Sequence, residues 1–85
     1  MAVYVVTFDS PTQDYPRFHQ WVERFDAMRL TDSTWAVQTD LAAGELYDEL
    51  KPLLRDDDVG YVIALGQPWI GFGYEAMNDW LHRHL

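Results

Sequence analysis

The chain contains no cysteine, which excludes disulfides, thiol catalysis and thiolate metal sites together. It is also poor in positive charge. Six lysines and arginines stand against fourteen aspartates and glutamates, for a formal net charge of −8. A field of that sign repels phosphate backbones, so nucleic acid is disfavoured as a partner and would need a local basic patch or bridging cations. The acidic balance suits solubility, a basic protein partner or mimicry of nucleic acid. No apolar run approaches membrane-spanning length. The sequence opens on a strand rather than on a basic segment and an apolar core, so no secretion signal is expected and the expected location is the cytoplasm. Neither a Gly-rich phosphate loop, a metal-ligand cluster nor a nucleophile–base pair can be read from the spacing.

What the chain does have is apolar material. Its 85 residues leave room for one domain, 1–85, without linker, repeat or low-complexity segment. A chain this short buries roughly 60% of its unfolded surface. Yet 48% of its residues are hydrophobic and 15% aromatic, including four Trp, five Tyr and four Phe. That surplus argues for a partner surface, of which a homodimer is the simplest form.

Both side-chain rows of Ala2–Val3–Tyr4–Val5–Val6–Thr7–Phe8 are apolar, the pattern of a central strand covered on both faces. A loop from Asp9 to Gln13 leads into a helix with Asp14 expected as N-cap and Pro16 in its first turn. Phe18, Trp21, Val22, Phe25 and Met28 then recur at helical spacing. A short extended piece near 28–31 precedes Ser33–Thr39, where Trp35 and Val37 share one face and Thr34 and Gln38 the other. Asp40 is placed to cap a second helix whose stripe is Leu46, Tyr47, Leu50, Leu53 and Leu54. After the turn Asp56–Asp57–Asp58, Val59 to Leu65 forms another apolar strand. A loop rich in Gly and aromatics and a closing helix from about Tyr74 to His84 finish the chain, with Met77, Trp80, Leu81 and His84 on the buried side. The expected fold is α+β: a ferredoxin-like βαββαβ sandwich over 2–65, its antiparallel sheet carrying two helices on one face, with an added C-terminal loop and helix over 66–85. The sheet's other face then needs cover, from a second subunit or from that C-terminal segment.

Val5–Val6–Thr7–Phe8–Asp9–Ser10 resembles the "VVYDIS"-like opening of the small, non-integrase CRISPR-associated adaptation protein. Ser33–Thr34–Trp35–Ala36–Val37 is similar to that family's "SVFEG"-type strand. The stretch from Leu53 to Ile63 resembles its closing "L-x-P-x-D-x-V-x-x-Y" segment. VapD-type ribonucleases share the same ferredoxin-like dimer, and the chain also resembles uncharacterised members of that superfamily with a Trp-containing tail. The resemblance implies a homodimer with stacked sheets, a role in phage, plasmid or host-defence biology, and Asp9 facing its copy near the two-fold axis. There, some relatives hold a divalent metal for phosphodiester cleavage. The chain departs from the family at Asp32, where basic residues are usual, and in its tail after Leu65.

Asp9 is the foremost candidate for chemistry. Paired across a dimer axis it could hold Mg²⁺ or Mn²⁺, which accept one or two carboxylates plus waters, and the metal would activate water and stabilise charge on a phosphate. Ser10 could bind metal or phosphate, and Ser33 is a weaker candidate. The same Asp9 could instead cap the turn that follows it. His19 is expected as a surface or boundary residue. His82 and His84 are two residues apart, hence on different helix faces and not joint ligands. Trp69, Ile70 and Phe72 in the Gly-rich loop either cover the domain's own sheet or anchor a partner, and the acidic run Asp56, Asp57 and Asp58 is the other candidate for partner contact. That run lacks the spacing of an EF-hand and reads otherwise as a solvated turn. The two functional expectations are therefore an acidic homodimeric interaction module, an accessory or inhibitor of a nucleic-acid-handling complex, and a metal-dependent nuclease acting through paired Asp9.

Overall fold

The computed structural model describes residues 2–11 and 15–85. In chain order these form β1 (Ala2–Asp9), α1 (Tyr15–Val22), β2 (Asp26–Thr31), β3 (Thr34–Thr39), α2 (Ala43–Leu50), a 3-10 turn (Lys51–Leu53), β4 (Val59–Ala64) and α3 (Glu75–His84). The strands make one sheet in the order β2-β3-β1-β4, and every neighbouring pair is antiparallel. The doubly apolar β1 thus lies inside the sheet, as its two rows of side chains require.

The two faces are covered unequally. Tyr4, Val6 and Phe8 of β1, with Trp35 and Val37 of β3, meet Phe18, Trp21 and Val22 of α1 and Leu46 and Leu50 of α2. Phe8 and Phe18 stack with ring centroids 4.9 Å apart. Each fully buried side chain of this size contributes roughly 1.5–3 kcal/mol, so this layer carries most of the stability. Two of its polar tips find partners, the Tyr4 hydroxyl donating to the Leu41 carbonyl at 2.9 Å and Trp21 Nε1 to Glu49 Oε1 at 3.2 Å, whereas the buried Trp35 Nε1 has none among the described residues. On the opposite face α3 lays Trp80 over Val3 and Ala36, flanked by Met28, Leu30, Leu65, Leu81 and Leu85.

Several local boundaries differ from the sequence pattern. Helix α1 stops at Val22, so Phe25 and Met28 only continue its spacing by coincidence. Met28 instead lies in β2 opposite Ala36 and points at α3. The N-cap of α2 is Ala42 rather than Asp40, because Glu45 reaches back to accept the Ala42 N–H at 2.9 Å. Pro52, which has no amide proton to give, falls in the 3-10 turn that ends α2. The expected cap Asp14 lies outside the described residues. Strand β3 is not half-covered, since α3 buries Ala36 on the face that was to stay wet.

Candidate functional site

Asp9 ends β1 and is exposed. Its Oδ1 accepts a hydrogen bond from the Tyr15 hydroxyl at 3.1 Å. That bond, followed by burial and the Asp9 charge, raises the Tyr15 phenol above its ordinary value, because removing the phenol proton would set two negative charges together. Ser10, although next in sequence, is buried and serves a different carboxylate, that of Asp58. Asp58 Oδ2 also accepts the Arg55 backbone N–H at 2.9 Å. These two bonds, Arg55 first, hold the Asp58 carboxyl below its usual range. Asp58 therefore closes the turn into β4, while Asp56 and Asp57 stay exposed beside an open hollow of about 450 Å³ that they line with Pro11 and Arg55.

The structure brings Asp9, Ser10 and Asp58 to one end of the sheet, with Tyr15 over them. Among the described residues, however, no three His, Asp or Glu side chains gather to hold a metal ion. Within this chain Asp9 would offer Mg²⁺ or Mn²⁺ a single exposed carboxylate, since Asp58 is engaged by Ser10 and the Arg55 N–H; waters or further donors would have to complete the shell. Ser33 sits in the tight turn between β2 and β3, its carbonyl accepting the Phe8 N–H at 2.8 Å. His19 is half-buried beside Tyr15 and Trp35. His82 rests on Trp69, with ring centroids 4.9 Å apart.

The other concentration of unusual side chains is apolar. Strand β4 is the outer strand beside β1, and its Val59, Tyr61 and Ile63 are 47%, 60% and 53% exposed. They stand opposite Asp9, Thr7 and Val5 respectively, on the part of the second face that α3 leaves open. Ala43, Gly44 and Tyr47 of α2 continue this ledge around the strand's outer side, bounding a shallow hollow of about 450 Å³ with Gly60, Tyr61 and Val62. Farther along the chain Ile70 and Phe72 are wholly in solvent and Tyr74 nearly so, whereas Trp69 is half-buried against His82. Of the loop aromatics singled out by sequence, Ile70 and Phe72 are thus free for contact and Trp69 is partly spent on the fold.

Two features escaped the sequence. The Tyr61–Ile63 row could have been found from the run Val59–Ala64, but an unbroken apolar run does not say which of its rows is wet. The second is a bridge between His84 and Asp26 that ties α3 to β2, across 58 positions of chain.

The site belongs to a small α+β protein with a four-stranded antiparallel sheet, three helices and an open apolar edge. Comparisons with protein-family models, curated proteins and solved structures found no match for this chain. No helix among the described residues is long and apolar enough to cross a membrane.

Proposed function

We propose that this chain is a small acidic protein-interaction module built on a ferredoxin-like sandwich, working as an accessory or inhibitor of a nucleic-acid-handling complex. The observation that carries the reading is the ledge of Val59, Tyr61 and Ile63, about half exposed on an outer strand and flanked by Tyr47. Contiguous apolar surface of this kind on a small soluble domain marks an interaction site. Aromatic anchors such as Tyr61 are the side chains that carry most interface energy. The net charge of −8 supplies the second part of the reading, since it would draw a basic partner and repel free nucleic acid.

The test replaces Tyr61 with a photo-reactive phenylalanine analogue in the native host. A discrete protein adduct that disappears with Ile63→Asp is expected. In parallel, purified protein is incubated with RNA and with single- and double-stranded DNA, with and without Mg²⁺ or Mn²⁺. The substrates should stay intact. Metal-dependent cleavage that is abolished in Asp9→Ala would replace the module with a nuclease.

A further inference from the structure

We infer that the partner on the β4 ledge is a second copy of this chain, joined edge to edge through an antiparallel β4–β4 pairing centred on Val62, so that two four-stranded sheets become one. This rests on the interaction reading above and names the occupant of the same surface.

The two outer strands of the sheet are treated differently. Strand β2 carries Asp26 and Arg29 and is crossed by α3, whose Trp80 and His84 bond to Asp26. Charges and a covering helix are the usual means by which an edge is kept from pairing. Strand β4 carries no such charges: Val59–Gly60–Tyr61–Val62–Ile63–Ala64 contains no charge and no proline, and α2 packs on one of its faces while the other, with Val59, Tyr61 and Ile63, stays open. Its polarity is set by β1. The Leu65 N–H donates to the Val3 carbonyl at 2.9 Å, and the Tyr61 N–H points at Thr7, whose Oγ1 accepts it at 3.2 Å. Antiparallel ladders alternate, so the odd-numbered residues of β4 address β1. The N–H and C=O groups of Gly60, Val62 and Ala64 then face outward in a row.

That row is complementary to itself. In an antiparallel pair about Val62, each Val62 faces its copy and each Gly60 faces the other Ala64. Ala43 and Gly44 of α2 border the strand, and with a single methyl group between them they let the two edges approach. Each Tyr61 then faces the Ile63 of the copy, and each Val59 faces the copy's Leu65, on one continuous face.

Charge selects both the direction and the occupant. Each copy carries −8, and Asp56–Asp57–Asp58 precede β4 directly. Parallel pairing would stack those acidic turns side by side. Antiparallel pairing sends them to opposite ends, about 30 Å apart by strand rise, nearly four times the Debye length of about 8 Å at physiological salt. A basic partner would be drawn to those acidic ends rather than to the uncharged row between them. The same geometry leaves the two Asp9 carboxylates about 25 Å apart, too far to share an ion.

The experiment measures the mass of the intact protein by sedimentation over a wide concentration range, at low and at high salt. A dimer is expected whose dissociation constant tightens several-fold as salt screens the like charges. Amide exchange read by NMR should show Gly60, Val62 and Ala64 slowed at least about tenfold in the dimer. Tyr61→Lys, or Ile63→Lys should the first variant fold poorly, is expected to leave a folded monomer. A particle that stays monomeric at every concentration overturns the inference while leaving the ledge to a different protein, which the photo-crosslinking at residue 61 then reports. A dimer whose three outward amides exchange freely, or one that loosens with salt, overturns the edge pairing.

Discussion

His84 and Asp26 meet at 2.9 Å, Nε2 to Oδ2, and fasten the last helix to the outer strand β2. The other ring nitrogen, Nδ1, lies 2.7 Å from the Trp80 carbonyl. Both ring nitrogens therefore face oxygen atoms. The imidazole stacks on the Trp80 indole with centroids 3.8 Å apart, and Trp80 Nε1 donates to the other carboxylate oxygen of Asp26 at 3.2 Å. One carboxylate thus anchors two neighbouring side chains of α3.

The hydrogen bond from His84, then that from Trp80, holds the Asp26 carboxyl below its ordinary value. A depressed carboxyl stabilises the fold fully above its unfolded pKa of about 3.9, and loses that contribution as pH falls through the lower folded value. The carboxylate is 56% exposed, so screening reduces the pair to about 0.5–1 kcal/mol. Asp26→Asn is expected to lower Tm by a few degrees at neutral pH. The deficit should vanish in strong acid. An equal deficit at both pH values in thermal melts would show that Asp26 acts through packing and not through charge.

Trp80 is 3% exposed and is the one fully anchored side chain of α3. Trp80→Ala should cost about 3 kcal/mol, the lower end for a large aromatic removed from a core. Leu81→Ala, at a half-buried site, should cost less. Denaturant titration of both variants checks the order, and the reverse order would mean that the helix is not hung on its indole.

The Asp9–Tyr15 bond predicts an optical signature. One of the five tyrosines should ionise late when phenolate absorbance is followed through alkaline pH, because Asp9 holds the Tyr15 proton. Asp9→Asn removes the largest cause and should bring that transition back toward the ordinary range. A raised phenol pKa stabilises the fold below about pH 10 and ceases to do so once the folded-state group ionises. An alkaline titration curve identical in wild type and Asp9→Asn would refute the bond.

Gly60 is confined by its neighbours. A Cβ placed there would lie 2.9 Å from Leu54 Cδ2 and 3.2 Å from Leu50 Cδ2, and Leu50 is fully buried. Gly60→Val should therefore destabilise by about 1–2 kcal/mol, as overpacking does, despite the better strand propensity of valine. Chemical denaturation measures it, and a stabilised variant would mean that both leucines yield.

Much of the fold was legible because β1 and the two amphipathic helices carry period and burial in their own residues. The two apolar rows of β1 announced an inner strand, and Phe18, Trp21, Val22, Leu46 and Leu50 announced the layer above it. The misreadings fall where a local pattern ran past its physical limit. Met28 kept the helical spacing of α1 although the chain had already turned into β2, and Asp40 looked like a cap until Glu45 supplied the acceptor for Ala42. The candidate site was less legible. Its sequence signals, Asp9 and the loop aromatics, are real residues at real ends of elements. The ledge on β4 depends instead on which row α3 fails to cover, a tertiary fact. The His84–Asp26 bridge joins two residues whose neighbours in sequence say nothing of each other.

The unequal clothing of the two faces has a dynamic consequence. A helix fastened by one indole and one half-exposed His–Asp hydrogen bond opens at a lower free energy than the strands beneath it, which are locked from the other side by seven wholly buried side chains. When α3 lifts alone, Met28, Ala36 and Val3 come to light beside Val5 and Ile63, and a narrow apolar margin widens into an uninterrupted floor. The molecule thus carries, in a form reached without global unfolding, a second and broader adhesive surface that only its final helix keeps out of reach.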